Sequence, residues 1–169
     1  TSATKNGVTW ATIGALAGNA TITGSAGADN IGSTANTAVT GKALTMDGGA
    51  GQDSLYGGLG ADTITDTSSE TLGNGNVLVG GAGNDTITGG AGIDTIEGGT
   101  GNDSITGGAG NDVLTGGGGT DVVIGGAGND AITAGAGTTN LSGGDGNDSF
   151  AMGANWTGGT TTTDTVSGG

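Results

Sequence analysis

The sequence predicts an all-β fold in which short strands stack as repeating coils. The first observation is a nine-residue unit, G-G-x-G-x-D-x-U-x, where U is a large aliphatic residue. The second is the composition: 44 glycines and no proline, which together with a fixed period indicate a repeat fold. The third is the thin apolar content of about one large aliphatic residue per unit, too little for a conventional globular core.

Nine units match the pattern in full, and six of them follow one another without a break from Gly80. Weaker copies occupy residues 24–32, 71–79 and 134–142, so the repeat covers residues 24–151. Asn76 and Thr139 replace the aspartate in the second and third of these weaker copies. The full units begin at Gly48, Gly57, Gly80, Gly89, Gly98, Gly107, Gly116, Gly125 and Gly143.

The unit also predicts its own local structure. Glycine tolerates positive φ, so the first six residues are expected to form a sharp turn. The last three residues are expected to form a short strand, with position 8 pointing inward and positions 7 and 9 pointing outward. The predicted core comprises Ile22, Met46, Leu55, Ile64, Leu78, Ile87, Ile96, Ile105, Leu114, Val123, Ile132, Leu141 and Phe150.

The aspartate at position 6 points to a metal site. Only Glu70 and Glu97 accompany the aspartates, whereas a merely solubilising surface would mix both acids with lysines. Aspartate could serve simply as a turn residue. Asparagine would serve that purpose equally, yet position 6 is aspartate in every full unit. Because the chain contains no His or Cys, a hard cation with oxygen ligands is favoured, and calcium fits best.

This pattern resembles the repeats-in-toxin (RTX) family. The resemblance implies a right-handed parallel β-roll, a β-solenoid with two rows of calcium-binding turns, in which two repeats form one coil. Repeats n and n+2 then stack on the same edge, and several Ca²⁺ ions are expected between stacked turns. The predicted metal ligands are Asp29, Asp53, Asp62, Asp85, Asp94, Asp103, Asp112, Asp121, Asp130 and Asp148.

Stacking every second repeat divides these ligands between two rows. One row contains Asp62, Asp85, Asp103 and Asp121, and the other contains Asp29, Asp53, Asn76, Asp94, Asp112, Asp130 and Asp148. Asn76 is expected to weaken two sites because it is neutral, and Thr139 is expected to end the first row. Asp47, Asp66 and Asp145 lie off position 6 and are either solvated or extra ligands.

Three segments are predicted along the chain. Residues 15–151 form the β-roll, with inserts near 33–38 and 66–70 that preserve the two rows. Residues 1–14 and 152–169 form caps or assembly segments, and they contain Trp10 and Trp156. Tryptophans suit the covering of open coil ends, although both could also be incidental surface residues.

Charge and composition also exclude several function classes. A formal charge of −14 with two lysines makes nucleic acid an improbable partner. The sequence contains no apolar run long enough to insert in a bilayer. Without His or Cys the usual catalytic triads cannot form, so no enzymatic activity is expected.

Two functions remain open. The resemblance implies a chain exported by the type I route that folds on calcium outside the cell or on a bacterial cell surface. The preferred interpretation is a structural protein (a surface-layer, adhesin or filament subunit) that binds copies of itself end to end. The alternative is a C-terminal secretion and folding domain of a larger hydrolase or toxin.

Overall fold

A solenoid of parallel strands makes up the described part of the chain. The computed structural model describes residues 2–4, 19–32, 42–67, 75–152 and 165–167. Within these ranges the chain forms fourteen β-strands, and all hydrogen-bonded neighbours among them are parallel. The same ranges contain no helix that could cross a membrane.

The strands form two stacks. The long strands β11 and β12 connect these stacks, because each of them contributes residues to both. The first stack contains β1 (Ser2–Thr4), β2 (Ala20–Thr23), β4 (Leu44–Asp47), β6 (Thr63–Thr65), β8 (Thr86–Ala91), β10 (Ser104–Ala109) and β14 (Thr165–Ser167). The second contains β3 (Asn30–Ile31), β5 (Ser54–Leu59), β7 (Val77–Ala82), β9 (Thr95–Thr100) and β13 (Ser149–Ala151). Strands β11 (Val113–Ala127) and β12 (Ala131–Asp145) complete both stacks.

The register shows that two repeats form one coil. Ile87 lies beside Ile105, and Ile105 lies beside Val123, so equivalent positions two repeats apart are neighbours. The first part of β11 pairs with β9, whereas its last part pairs with β10, so a single strand passes from one stack to the other. The predicted all-β class and parallel β-roll are therefore confirmed.

Each stack contributes one row of aliphatic side chains to the interior of the solenoid. The position-8 residues from Ile22 to Leu141 are almost completely buried, including Met46 in the coil before the first full repeat. Phe150, also expected in the core, is only partly buried, and it lies on β13, which pairs with β12 alone among the described strands. Leu44 and Ala20 are buried too, although both lie at position 6 rather than position 8.

The strands are longer than the sequence predicts. Strands β8, β9 and β10 each cover positions 7 to 9 and continue through positions 1 to 3 of the next repeat. Glycines at positions 2 and 4 make this possible, because both have similar positive φ in each repeat from Gly80 onward. Gly108 and Gly110 have φ of 119° and 146°, for example. Equal backbone conformations can stack in register, and the turn is reduced to positions 4 to 6.

Replacing Gly108 with alanine should destabilise the solenoid. The new Cβ would overlap the carbonyl oxygen of Gly90, and alanine rarely adopts the φ of 119°. A cost of about 1–3 kcal/mol is expected from the backbone strain alone. Chemical denaturation in saturating calcium measures it.

Gly118→Ala is the matched control for this prediction. A Cβ on Gly118 would meet only Ala136 O, at 3.7 Å, which is an ordinary contact. This variant should stay within about 0.5 kcal/mol of the native chain. Equal unfolding midpoints for the two variants would contradict the steric account.

Candidate metal centres

Two columns of position-6 side chains run along the coil axis. The first column contains Asp62, Asp85, Asp103 and Asp121, and the second contains Asp29, Asp53, Asn76, Asp94, Asp112, Asp130 and Asp148. In both, the backbone N–H of one residue donates to Oδ1 of the residue one coil further on, over 2.7 to 3.0 Å. The structure thus brings the sequence-predicted residues together in the two expected rows.

The columns keep this register across both irregular stretches of sequence. Regular neighbours such as Asp85 and Asp103 are 18 residues apart. Asp62 and Asp85 are 23 residues apart, and Asp29 and Asp53 are 24 apart, yet both pairs form the same hydrogen bond at 2.7 Å. Residues 33–41 and 68–74, which hold most of the two predicted inserts, lie outside the described residues.

The column carboxylates are buried, apart from the half-buried Asp148, and they use only part of their hydrogen-bonding capacity. One oxygen is shielded from solvent and accepts no hydrogen bond in Asp29 (Oδ1) and in Asp62, Asp85, Asp94, Asp103, Asp112, Asp121, Asp130 and Asp148 (Oδ2). Asp53 is buried at the equivalent place in the second column. A buried anionic oxygen without a donor is costly, so this arrangement favours a bound cation.

The first glycine of each repeat leaves space beside these oxygens. A Cβ built on Gly98 would lie 2.6 Å from Asp103 Oδ2 and 2.5 Å from the carbonyl oxygen of Gly116. Gly89 shows the same geometry with Asp94 Oδ2 and Gly107 O. A carboxylate oxygen and a backbone carbonyl of the adjoining coil therefore face one small space, which any side chain would fill.

The donor chemistry fits calcium. Calcium takes six to eight oxygen ligands at about 2.3–2.6 Å, and carboxylates and carbonyls both qualify. No three acidic side chains converge within the described ranges, so the rest of any coordination shell there would come from backbone carbonyls, side-chain amides or water. The carbonyls at positions 3 and 6 already accept hydrogen bonds between coils, as Thr100 O and Asp62 O do.

Asp66 occupies a place that the repeat pattern does not assign to an acid. Its N–H donates to Thr88 O (3.0 Å), just as the first-position Gly48 donates to Thr65 O (3.1 Å). The side chain is only 5% exposed, and its Oδ2 accepts a hydrogen bond of 2.7 Å from Asn76 Nδ2. A solvated role is therefore wrong for Asp66, and the off-pattern acid belongs beside the second column.

The other off-pattern positions play smaller parts. Asp47 accepts hydrogen bonds from Thr67 Oγ1 (3.0 Å) and Gly49 N (3.2 Å), and Asp145 is exposed. Leu44 replaces aspartate above Asp62 in the first column, where its N–H still donates to Asp62 Oδ1 (2.7 Å). Thr139 pairs with Asp121 in the strand register, where the first row was expected to end.

Asparagines at position 5 form a second set of hydrogen-bond ladders, which were not predicted from the sequence. The N–H of Asn102 donates to Asn84 Oδ1 (2.8 Å), and the N–H of Asn147 donates to Asn129 Oδ1 (2.8 Å). These bonds run in the opposite direction to those of the aspartate columns. The recurrence of Asn one residue before Asp was the available signal, because a side-chain acceptor there reaches the next coil.

Burial raises the pKa of every column aspartate whose shift is resolved. It raises the pKa of Asp85 to about 7, with the charges of Asp62 and Asp103 adding to the rise and the N–H of Asp62 opposing it. Burial likewise raises the pKa to about 6 in Asp62, Asp94 and Asp112, and the charge of Asp66 contributes at Asp94. It also raises the pKa of Asp103, Asp121 and Asp130.

Acid should partly replace calcium as a stabiliser of this fold. Because the folded pKa values exceed the usual value near 4, the folded state binds more protons than the unfolded state between about pH 4 and 7. The calcium-free fold should therefore gain stability as pH falls from 7.5 to 5. Circular dichroism of the chelated chain at both values measures this, and a β-signal independent of pH would contradict it.

The comparisons with known proteins agree with the geometry. No curated protein and no solved structure shows significant similarity to this chain. The family model of the RTX calcium-binding nonapeptide repeat matches residues 15–33, 45–65, 71–92, 88–123 and 115–150. The match covers most of the chain and leaves out residues 34–44 and 66–70 between Asn19 and Phe150. The chain therefore belongs to the RTX calcium-binding nonapeptide-repeat family, and it binds calcium.

Proposed function

We propose that this chain is an extracellular structural module that folds when calcium binds after export, and that then assembles with copies of itself. The observation that carries the proposal is the pair of buried aspartate columns, in which carboxylate oxygens lack hydrogen-bond donors. Like charges stacked one coil apart oppose folding until cations separate them. Calcium binding and folding are then one process.

The thin core supports the same conclusion. Each half-coil buries one aliphatic side chain at position 8, such as Ile96 or Ile105. Burying one such side chain contributes about 1.5–3 kcal/mol, whereas ordering nine residues costs about 1–2 kcal/mol for each. Hydrogen bonds between coils offset part of that difference, and metal binding is the remaining source of stability.

Consecutive aspartates of a column are the proposed ligand pairs. In the first column the pairs are Asp62–Asp85, Asp85–Asp103 and Asp103–Asp121. In the second they are Asp29–Asp53, Asp94–Asp112, Asp112–Asp130 and Asp130–Asp148. Each pair would bind one ion, with the carbonyls that face the first glycines as additional ligands.

Calcium-coupled folding suits a protein exported unfolded. Extracellular modules of this kind need calcium at about 10⁻⁴–10⁻³ M, far above its concentration in the cytosol. The chain would stay unfolded during type I secretion and fold outside the cell or on a bacterial cell surface. Family membership supports this route, since the RTX resemblance implies such export.

Removing calcium should unfold the chain. In chelator at pH 7.5 we expect the circular-dichroism spectrum of a disordered chain, and in millimolar calcium we expect that of β-structure. Magnesium at the same concentration should not substitute, because it requires a tighter octahedral site and dehydrates reluctantly. Full β-structure in chelator at this pH would rule out coupled folding.

The ends of the solenoid support a role in assembly. Strand β1 pairs only with β2, and β3 pairs only with β5, among the residues that the structure describes. At the other end β13 and β14 each pair only with β12 within the same ranges. An outermost parallel strand has a free hydrogen-bonding edge, which can pair with another subunit.

The second candidate function is a secretion and folding domain attached to a larger hydrolase or toxin. The same calcium chemistry would serve such a domain equally well. The two functions differ in whether the isolated module self-associates.

Deleting residues 1–14 should reduce self-association while leaving calcium-induced folding of the central coils largely intact. The deletion removes β1, which pairs with β2 at one end of the first stack. Light scattering in millimolar calcium measures assembly, and circular dichroism of the same samples measures folding. A full chain that stays monomeric at high concentration would contradict assembly and favour the secretion-domain function.

A further inference from the structure

We propose that Asp66 supplies the carboxylate of a calcium site between the turn that contains Asn76 and the turn that contains Asp94. The inference rests on the proposed coupling of folding to calcium. It adds a ligand at position 1, which the repeat pattern reserves for glycine, and it restores a site that the neutral Asn76 would otherwise weaken.

Position 1 of a turn faces position 6 of the same turn. In regular turns a Cβ at position 1 would overlap the aspartate at position 6: Gly80 meets Asp85 Oδ2, and Gly107 meets Asp112 Oδ2. In the irregular turn both residues differ, with Asp66 at position 1 and Asn76 at position 6. The carboxylate has therefore changed places with the uncharged residue, and the turn still contributes one negative charge to its column.

The contacts of Asp66 show this exchange directly. Its Oδ2 accepts a hydrogen bond from Asn76 Nδ2 at 2.7 Å, so the two side chains meet inside the turn. The side chain of Asp66 is 5% exposed and that of Asn76 is 2% exposed. A buried carboxylate held against the position-6 side chain lies where the other turns place their own carboxylate.

The carboxylate also reaches the next turn of the column. The point where a Cβ would lie on Gly90, in the turn that contains Asp94, is 3.5 Å from Asp66 Oδ2. Asp94 is fully buried, and its Oδ2 accepts no hydrogen bond. Asn76 N–H donates to Asp94 Oδ1 (2.7 Å), so the coils have the same register here as in the regular pairs.

Two buried carboxylates from adjoining coils therefore flank the space beside Asn76. A dication between them neutralises both, as the ions between regular aspartate pairs would. The amide oxygen of Asn76 is already used, because it accepts the N–H of Asp53 at 2.8 Å. Charge at this site must come from Asp66 and Asp94.

The competing explanation is that Asp66 only closes the irregular turn through its hydrogen bond to Asn76. Asp66→Asn separates the two explanations, because an asparagine Oδ1 can still accept that hydrogen bond while the negative charge is lost. If Asp66 only closes the turn, Asp66→Asn leaves calcium binding unchanged. If Asp66 is a calcium ligand, the same variant loses calcium affinity.

Calorimetric titration of the full chain with calcium chloride tests the proposal, together with the calcium midpoint of folding by circular dichroism. Asp66→Asn should bind one calcium fewer, or bind that ion on the order of tenfold more weakly, because ligand charge sets calcium affinity. The double variant Asp66→Gly/Asn76→Asp restores the regular arrangement and should recover the native stoichiometry. Asp145→Asn, an exposed acid off position 6, is the control for general charge and should match the native chain.

Native stoichiometry and midpoint in Asp66→Asn would overturn the proposal and leave the columns as calcium sites. A folded double variant that still binds one calcium fewer would also overturn it, since the carboxylate would then not be exchangeable between the two positions. If Asp66→Asn does not fold, the double variant decides: native stoichiometry supports the proposal, and failure to fold overturns it. A native chain that binds no calcium would instead refute the function on which the proposal rests.

Discussion

Most aspartates of the two columns divide their carboxylates between two interactions, and the rest of the structure depends on that division. One oxygen accepts a backbone N–H from the neighbouring coil, as Asp103 Oδ1 does from Asp85, and this bond sets the register. The other oxygen is buried without a donor and faces the space that the first glycine leaves. Register is thus a property of the chain, whereas charge balance requires a bound cation.

The sequence predicts the fold and both columns because the aspartate at position 6 and the apolar residue at position 8 recur with few exceptions. The spacing of nine residues gives one aliphatic side chain and one aspartate per unit. The RTX resemblance, which implies two repeats per coil, then places Ile87 beside Ile105 and Asp85 beside Asp103. The columns could even be followed across the irregular stretches. A turn can lengthen at the surface, but the inward face of a strand cannot slip by one residue without exposing its core side chain.

What the sequence could not predict lies where one residue takes over the role of another. Asp66 stands in the glycine position of its turn, so a search for aspartate at position 6 treats it as an off-pattern acid. The length of the strands was also missed, because glycine runs usually indicate turns. Here identical positive-φ conformations in successive coils allow Gly90 and Gly108 to pair as strand residues.

The constancy of the columns across unequal coils has a consequence for the evolution and engineering of such chains. Asp62 N–H donates to Asp85 Oδ1 at 2.7 Å although the two residues are 23 positions apart. The equivalent bond from Asp94 to Asp112, which are 18 positions apart, is 2.8 Å long. Additional residues between two coils thus leave the hydrogen bond that joins the coils unchanged. The cost of closing a longer surface loop rises only slowly with its length. A solenoid of this kind can therefore carry foreign peptides as inserts in successive coils. The distance between the displayed peptides is set by the backbone of the solenoid and not by the peptides themselves.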